Sequence, residues 1–277
     1  MYRQLTILLF LLYAAPLQAQ NIFSALHLNE NRAYKYGKPI QIITANTFYN
    51  SSGKQVDKSI KYFDNSGMLT TEERYDKEGQ LNAKLTYKND TVRGLILESK
   101  IERWASFGYL KDSTVYSYNE QGVLTRITNV DVSGNIIQMA DLVNNENGHP
   151  VELRLFDRKG TSYGKETAEY FYDKNRAITS VYSNDGRLLT SGTIKIDFKV
   201  QDTTGGRNAT YNEKGDALTY VSQNPNGSET LYEVEYEYDS KGNWIDEKIY
   251  KVTIKPNGQK KRKLDRHFVK EIIYRND

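Results

Sequence analysis

The chain reads as all-β: a long, curled antiparallel meander of tandem hairpins, solenoid-like, with about fifteen or more short strands. Three observations predict this. Eleven of its nineteen glycines have an Asp or Asn three residues before them, where composition alone would give about three. The glycines that mark turns recur every 10 to 16 residues, which leaves room for one short strand between successive turns. Between turns the hydrophobic period is two. Tyr232, Val234, Tyr236 and Tyr238 alternate with Glu233, Glu235 and Glu237, and Ile194, Ile196, Phe198 and Val200 alternate with Lys195, Asp197 and Lys199. Such alternation marks strands with one buried and one wet face.

Taken from the N-terminus, residues 1–20 have the make-up of an export leader. Arg3 gives the positive end, Leu5 to Ala15 the apolar run, and Leu17-Gln18-Ala19 a cleavage signal. Residues 21–47 are expected to form an N-terminal cap and the first strand, with 21–39 covering the open edge of the sheet and the strand itself at Ile40 to Tyr49. Residues 48–258 carry the hairpin repeats. The gap at 80–121 reads as a corner or insertion and holds Trp104, Phe107 and Tyr109. Residues 259–277 make a basic C-terminal hairpin and a final strand. No second hydrophobic segment long enough to span a membrane follows the leader.

The repeat unit is an aromatic or apolar residue, Asp/Asn, two polar residues, Gly, any residue, and an apolar residue. Phe63-Asp64-Asn65-Ser66-Gly67-Met68-Leu69 and Tyr75-Asp76-Lys77-Glu78-Gly79-Gln80-Leu81 are clear copies. An Asx side chain at the first position of a type I turn accepts hydrogen bonds from amides ahead of it, and the following Gly takes positive φ to form a bulge. Gly67, Gly79, Gly122, Gly134, Gly160, Gly215 and Gly242 are the predicted turn glycines. Asn175 replaces glycine in Tyr172-Asp173-Lys174-Asn175 and is expected at positive φ. This geometry sets Phe63 beside Leu69, Tyr75 beside Leu81, Tyr118 beside Leu124, and Tyr238 beside Trp244.

At this point the residues resemble a family. The Tyr-Asp-x-x-Gly-x-Leu/Trp units, over roughly residues 48–258, are similar to the YD repeats of RHS-type proteins, and most of all to small secreted YD-repeat proteins of Bacteroidota. In larger members the resemblance implies a β-sheet spiralling into a hollow shell, associated with carbohydrate binding or with enclosing a toxin. This chain is too short for such a shell, its copies are degenerate, and it shows no toxin domain after the repeats. The motif speaks to architecture, so no functional residue is carried over from the family.

Chemistry leaves few marks. The chain has no cysteine, which excludes disulfides, a lipoprotein anchor and thiol catalysis. His27, His149 and His267 are scattered, and no nucleotide-binding, hydrolase or metal-ligand motif surrounds them. No catalytic residue, cofactor or metal is therefore expected. Two ligand-binding candidates remain. Trp104 and Tyr109 lie outside the repeat grammar, and exposed aromatics of this kind offer flat apolar faces with polar tips. Lys260, Lys261, Arg262 and Lys263 form the tip of a basic segment that has ten Lys/Arg between 248 and 275 against Asp265 and Glu271. Such a run suits an anionic partner, or simply discourages edge pairing as a solvated loop. The expected function is that of an exported, non-catalytic repeat protein, secreted or periplasmic, binding an extracellular or envelope ligand, foremost a carbohydrate. The alternative is a scaffold or protein-interaction component of an envelope or toxin-delivery system. The expected partner is a glycan or an envelope protein rather than nucleic acid.

Overall fold

The computed structural model describes residues 21–28, 36–50, 53–105, 108–195, 207–223, 228–254 and 257–275. The leader read at 1–20 and the turns around Gly205 and Gly227 lie outside them, as do Ile196, Phe198 and Val200. The first half of the sheet contains β1 (Pro39–Asn50), β2 (Gly53–Phe63), β3 (Leu69–Tyr75), β4 (Leu81–Asp90), β5 (Leu95–Ala105), β6 (Gly108–Tyr118), β7 (Leu124–Val130) and β8 (Ile136–Asn144). The second half contains β9 (Pro150–Asp157), β10 (Ser162–Phe171), β11 (Arg176–Ser183), β12 (Leu188–Lys195), β13 (Arg207–Tyr211), β14 (Ala217–Gln223), β15 (Glu229–Tyr238), β16 (Trp244–Ile254) and β17 (Lys260–Tyr274). All seventeen belong to one antiparallel sheet that is not closed into a barrel.

The turns follow the predicted chemistry. Asp64 Oδ1 accepts from the amides of Ser66 and Met68 at 2.9 and 3.0 Å. Asp239 does the same for Lys241 and Asn243 at 3.0 and 2.9 Å. The seven predicted glycines have φ between 77° and 95°, and Asn175 has φ 47°. Phe63 pairs with Leu69, Tyr75 with Leu81, Tyr118 with Leu124, and Tyr238 with Trp244.

Two local expectations fail. Among the described residues of 80–121 there is no insertion: β4, β5 and β6 are ordinary meander strands of 10, 11 and 11 residues. Their first turn departs from the repeat because Asp90 caps the amides of Val92 and Arg93 before Gly94, one residue later than usual. Nor is there an open edge at β1 for residues 21–39 to cover, and 29–35 lie outside the described residues. β1 lies inside the sheet, bonded to β2 on one side and to β17 on the other. The meander thus returns on itself, as a purely local solenoid would not. Counting directions from β1 both ways, β12 and β13 run the same way, so these two cannot be antiparallel neighbours, and no described pairing joins them.

One face carries the core. Following the register from Ile249 through Arg266, Phe268 and Asn46 to Ile42, then through Lys61, Glu72 and Leu85, reaches Tyr116 and Ile127 without changing sides. Both hydrophobic clusters therefore share that face, one around Leu142, Leu153 and Ala140, the other around Tyr220, Tyr232 and Ile249. The short helix α1 (Ile22–Leu26) lies against β9 and β10 and buries Ile22 and Ala25 in the first cluster. The opposite, outer face carries ionic pairs at mid-strand. Arg126 meets Asp141 at 2.5 Å, Lys84 meets Glu73 at 3.2 Å and Lys165 meets Glu152 at 3.3 Å. Exposed pairs of this kind contribute about 0–1 kcal/mol each, so they set solubility more than stability.

Candidate functional site

The β5–β6 hairpin projects beyond its neighbours. On one side the last residue of β5 paired with β4 is Arg103; on the other, β7 reaches only to Ser113 of β6. Residues 108–112 therefore have no partner on the β7 side, and the aromatics near this tip are held clear of the sheet. Trp104 and Tyr109 are directly opposed in register, so they share a face. They are 41% and 51% exposed, with ring centroids 5.6 Å apart and ring planes at 49°.

Two residues that the sequence reading missed complete the patch. Glu102, two residues before Trp104 and on the same face, accepts a hydrogen bond from the Tyr109 hydroxyl. Lys111 lies directly across from Glu102, its Nζ 3.6 Å from the carboxylate. The Tyr109 hydroxyl is the main cause that holds the Glu102 carboxyl below its ordinary range, with Lys111 assisting. The site is thus two tilted aromatic faces beside an ionised carboxylate, an acceptor of ligand hydroxyls. The signal for Glu102 was in the sequence, since period two places it on Trp104's face.

The basic run is divided. Lys260 reaches Glu233 at 2.9 Å, and Arg262 reaches Glu235 at 2.7 Å, both on the outer face two strands away. Arg262 also stacks over the Tyr250 ring at 4.0 Å. Lys261 and Lys263 alternate to the core side. The four residues therefore do not form one basic tip, because period two along β17 sends them to opposite faces. Five strand spacings separate β17 from β5, about 24 Å along the sheet, so the basic run and the Trp104 patch are not brought together.

Two of the three histidines make local bonds. His267 Nε2 is 2.8 Å from Asp246, and His149 Nδ1 is 3.0 Å from the Tyr172 hydroxyl. Among the described residues no three His, Cys, Asp or Glu are grouped to hold a metal, and no helix is long and apolar enough to cross a membrane.

No family model and no curated protein sequence matches the chain. Among solved structures, a porin-like protein from Bacteroides uniformis is similar at 14% identity, covering 87% of this chain and 100% of that chain with a TM-score of 0.45. A domain named for outer-membrane lipoprotein sorting, from Vibrio parahaemolyticus, matches at 10% identity over 61% of this chain and 94% of that chain, with a TM-score of 0.16.

Proposed function

We propose that this is an exported, non-catalytic protein of the small YD-repeat type that binds a carbohydrate at the Trp104–Tyr109 patch. One observation carries the reading: two opposed aromatics stand exposed on a projecting hairpin beside the Glu102 carboxylate. A sugar ring presents an apolar face of C–H groups and a rim of hydroxyls. Stacking on the rings removes the apolar face from water, and the carboxylate accepts from the rim. Burying one ring face there leaves the core untouched, since the site is on the outer side of the sheet.

The test is a glycan-array screen of the purified protein at low and high salt, followed by titration of any hit. Binding that persists at high salt and weakens about tenfold or more in Trp104→Ala supports the site. An array without hits, or a hit indifferent to Trp104→Ala, removes it.

A second reading as a protein-interaction scaffold has its own observation. The far side of β12 pairs with no described strand, and Leu188 and Leu189 on it are 53% and 56% exposed. An edge strand whose one charged residue is Lys195 at its end accepts an added strand from a partner. Crosslinking in the native envelope, with and without Leu189→Lys, separates this reading from the first.

A further inference from the structure

A cavity of about 490 Å³ opens on the core face beside the end of β1, lined by Phe48, Lys251, Lys263, Asp265 and Arg266 among others. Its composition is unusual for a meander built on paired charges. Lys251 and Lys263 are directly opposite in the β16–β17 register, on the same side as Tyr232. Like charges in that relation destabilise a sheet. Arg266, paired in register with Phe48, adds a third cation to the same side and lies over the Tyr232 ring at 5.5 Å.

A single carboxylate opposes the three. The register slips by one residue between Ile249 and Tyr250, and the extra residue on β17 is Asp265. That bulge swings the Asp265 carboxylate into reach of both Lys251, at 3.0 Å, and Arg266, at 3.1 Å. Bulges commonly re-aim a side chain beside a functional site. Lys263 has no carboxylate partner among the described residues. The cavity wall therefore holds three cations against one anion around an aromatic floor, whereas Lys260 and Arg262 on the outer face are each matched by a glutamate.

We infer that this cavity binds an oxyanion, a carboxylate or phosphate group borne on a small organic molecule, which enters between Lys263 and Lys251 and packs its body on Phe48. The anion replaces the missing counter-charge, so binding relieves the repulsion between the opposed lysines. Asp265 fixes Lys251 and Arg266 in place before the ligand arrives. This site is separate from the Trp104 patch in position, face and chemistry, and stands or falls independently of it.

The experiment is isothermal titration of the full protein at low ionic strength with three probes: D-glucuronate, inorganic phosphate and D-glucose. Saturable binding of glucuronate, phosphate or both, with none of glucose, is expected; which of the two binds identifies the source of the oxyanion. Lys263→Gln, at an exposed position that leaves the fold intact, should weaken that binding about tenfold or more. Lys260→Gln, on the outer face, should leave it unchanged. The bound probe should also raise the Tm of the wild type and not of Lys263→Gln. No binding of either anion, equal binding of glucose, or equal losses in Lys263→Gln and Lys260→Gln would overturn the assignment.

Discussion

The Tyr118 hydroxyl donates to the carbonyl oxygen of Ile96 at 2.7 Å, tying the turn that Tyr118 precedes to the previous turn on the same rim of the sheet. The relation repeats. Asn89 Nδ2 donates to the Leu69 carbonyl at 2.9 Å, Asn144 Nδ2 to that of Leu124 at 2.8 Å, and the Tyr170 hydroxyl to that of Pro150 at 2.8 Å. Each acceptor lies two residues past a turn glycine. Farther along, Tyr238 donates to the Asp216 carboxylate at 2.6 Å, one residue past Gly215. Along this rim the tyrosine of the repeat does more than pair across its own hairpin. Its hydroxyl satisfies the preceding hairpin on that rim, where phenylalanine would leave a polar group unmet.

Tyr118→Phe should therefore destabilise the protein by about 1 kcal/mol, the worth of one hydrogen bond to a half-buried carbonyl. Tyr75→Phe is the control, since that hydroxyl donates to Glu73, two residues away on the outer face. It should cost less than half as much. Urea denaturation reads both, and equal losses would show that the rim bonds carry no special weight.

Gly242→Val should cost more than 1 kcal/mol by forcing a β-branched residue to φ 95°. The added Cβ would also lie 3.2 Å from Lys214 Nζ and 3.6 Å from the Tyr36 ring. Gly67→Val meets open space at φ 82°, so it should cost the strain alone and lose less. Lys261→Ala should change almost nothing. Melting curves for the four proteins test the order, and an unaltered Tm for Gly242→Val would remove the turn geometry at that hairpin.

These turns and cross-strand pairs were legible because a hairpin code is local: Asx, Gly and two apolar positions lie within seven residues. The pairing of β1 with β17 was not, because it joins the two ends of the chain and leaves no pattern near either. The rim bonds of Tyr118, Asn89 and Asn144 leave no local pattern either, since their acceptors are about twenty residues away. Trp104 and Tyr109 stood out for lying off the repeat. The division of Lys260 to Lys263 between faces follows from period two, whereas the Asp265 bulge that builds the inner cavity depends on a register slip invisible in one strand.

Glu166 on β10 accepts from the Ile22 amide at 2.8 Å where α1 meets the core face. Burial raises its pKa above the ordinary 4.5, and the Ile22 bond offsets only part of that. A raised carboxyl favours the protonated form in the folded state. Its stabilising contribution is present below pH 4.5 and is lost as pH rises through the folded pKa. Glu166→Gln keeps an acceptor for Ile22 without the charge, so its Tm should exceed wild type at pH 7, with the gap closing below pH 4.5. A variant less stable than wild type at pH 7 would show that the carboxylate charge itself holds α1 down.

Lys270 on β17 turns to the core face, its Nζ 2.9 Å from the centroid of the Trp244 ring. Burial pushes its pKa down to about 7, against the pull of Glu247 and Asp216 and with the help of Lys61. Glu247, which accepts from the Tyr236 hydroxyl at 3.1 Å, is itself raised by burial. A lysine lowered on folding binds its proton more weakly in the native state than in the unfolded chain. Between pH 7 and its ordinary 10.5 the unfolded chain therefore holds more protons, and stability must rise with pH across that window. The wild-type Tm should climb from pH 7 to pH 9, below the range in which the tyrosines titrate. Lys270→Met, of similar length and able to pack on Trp244, should flatten that climb. A slope that survives the substitution would mean that Lys270 stays protonated at pH 7 to 9, with its charge held on the core face by Glu247 and the Trp244 ring.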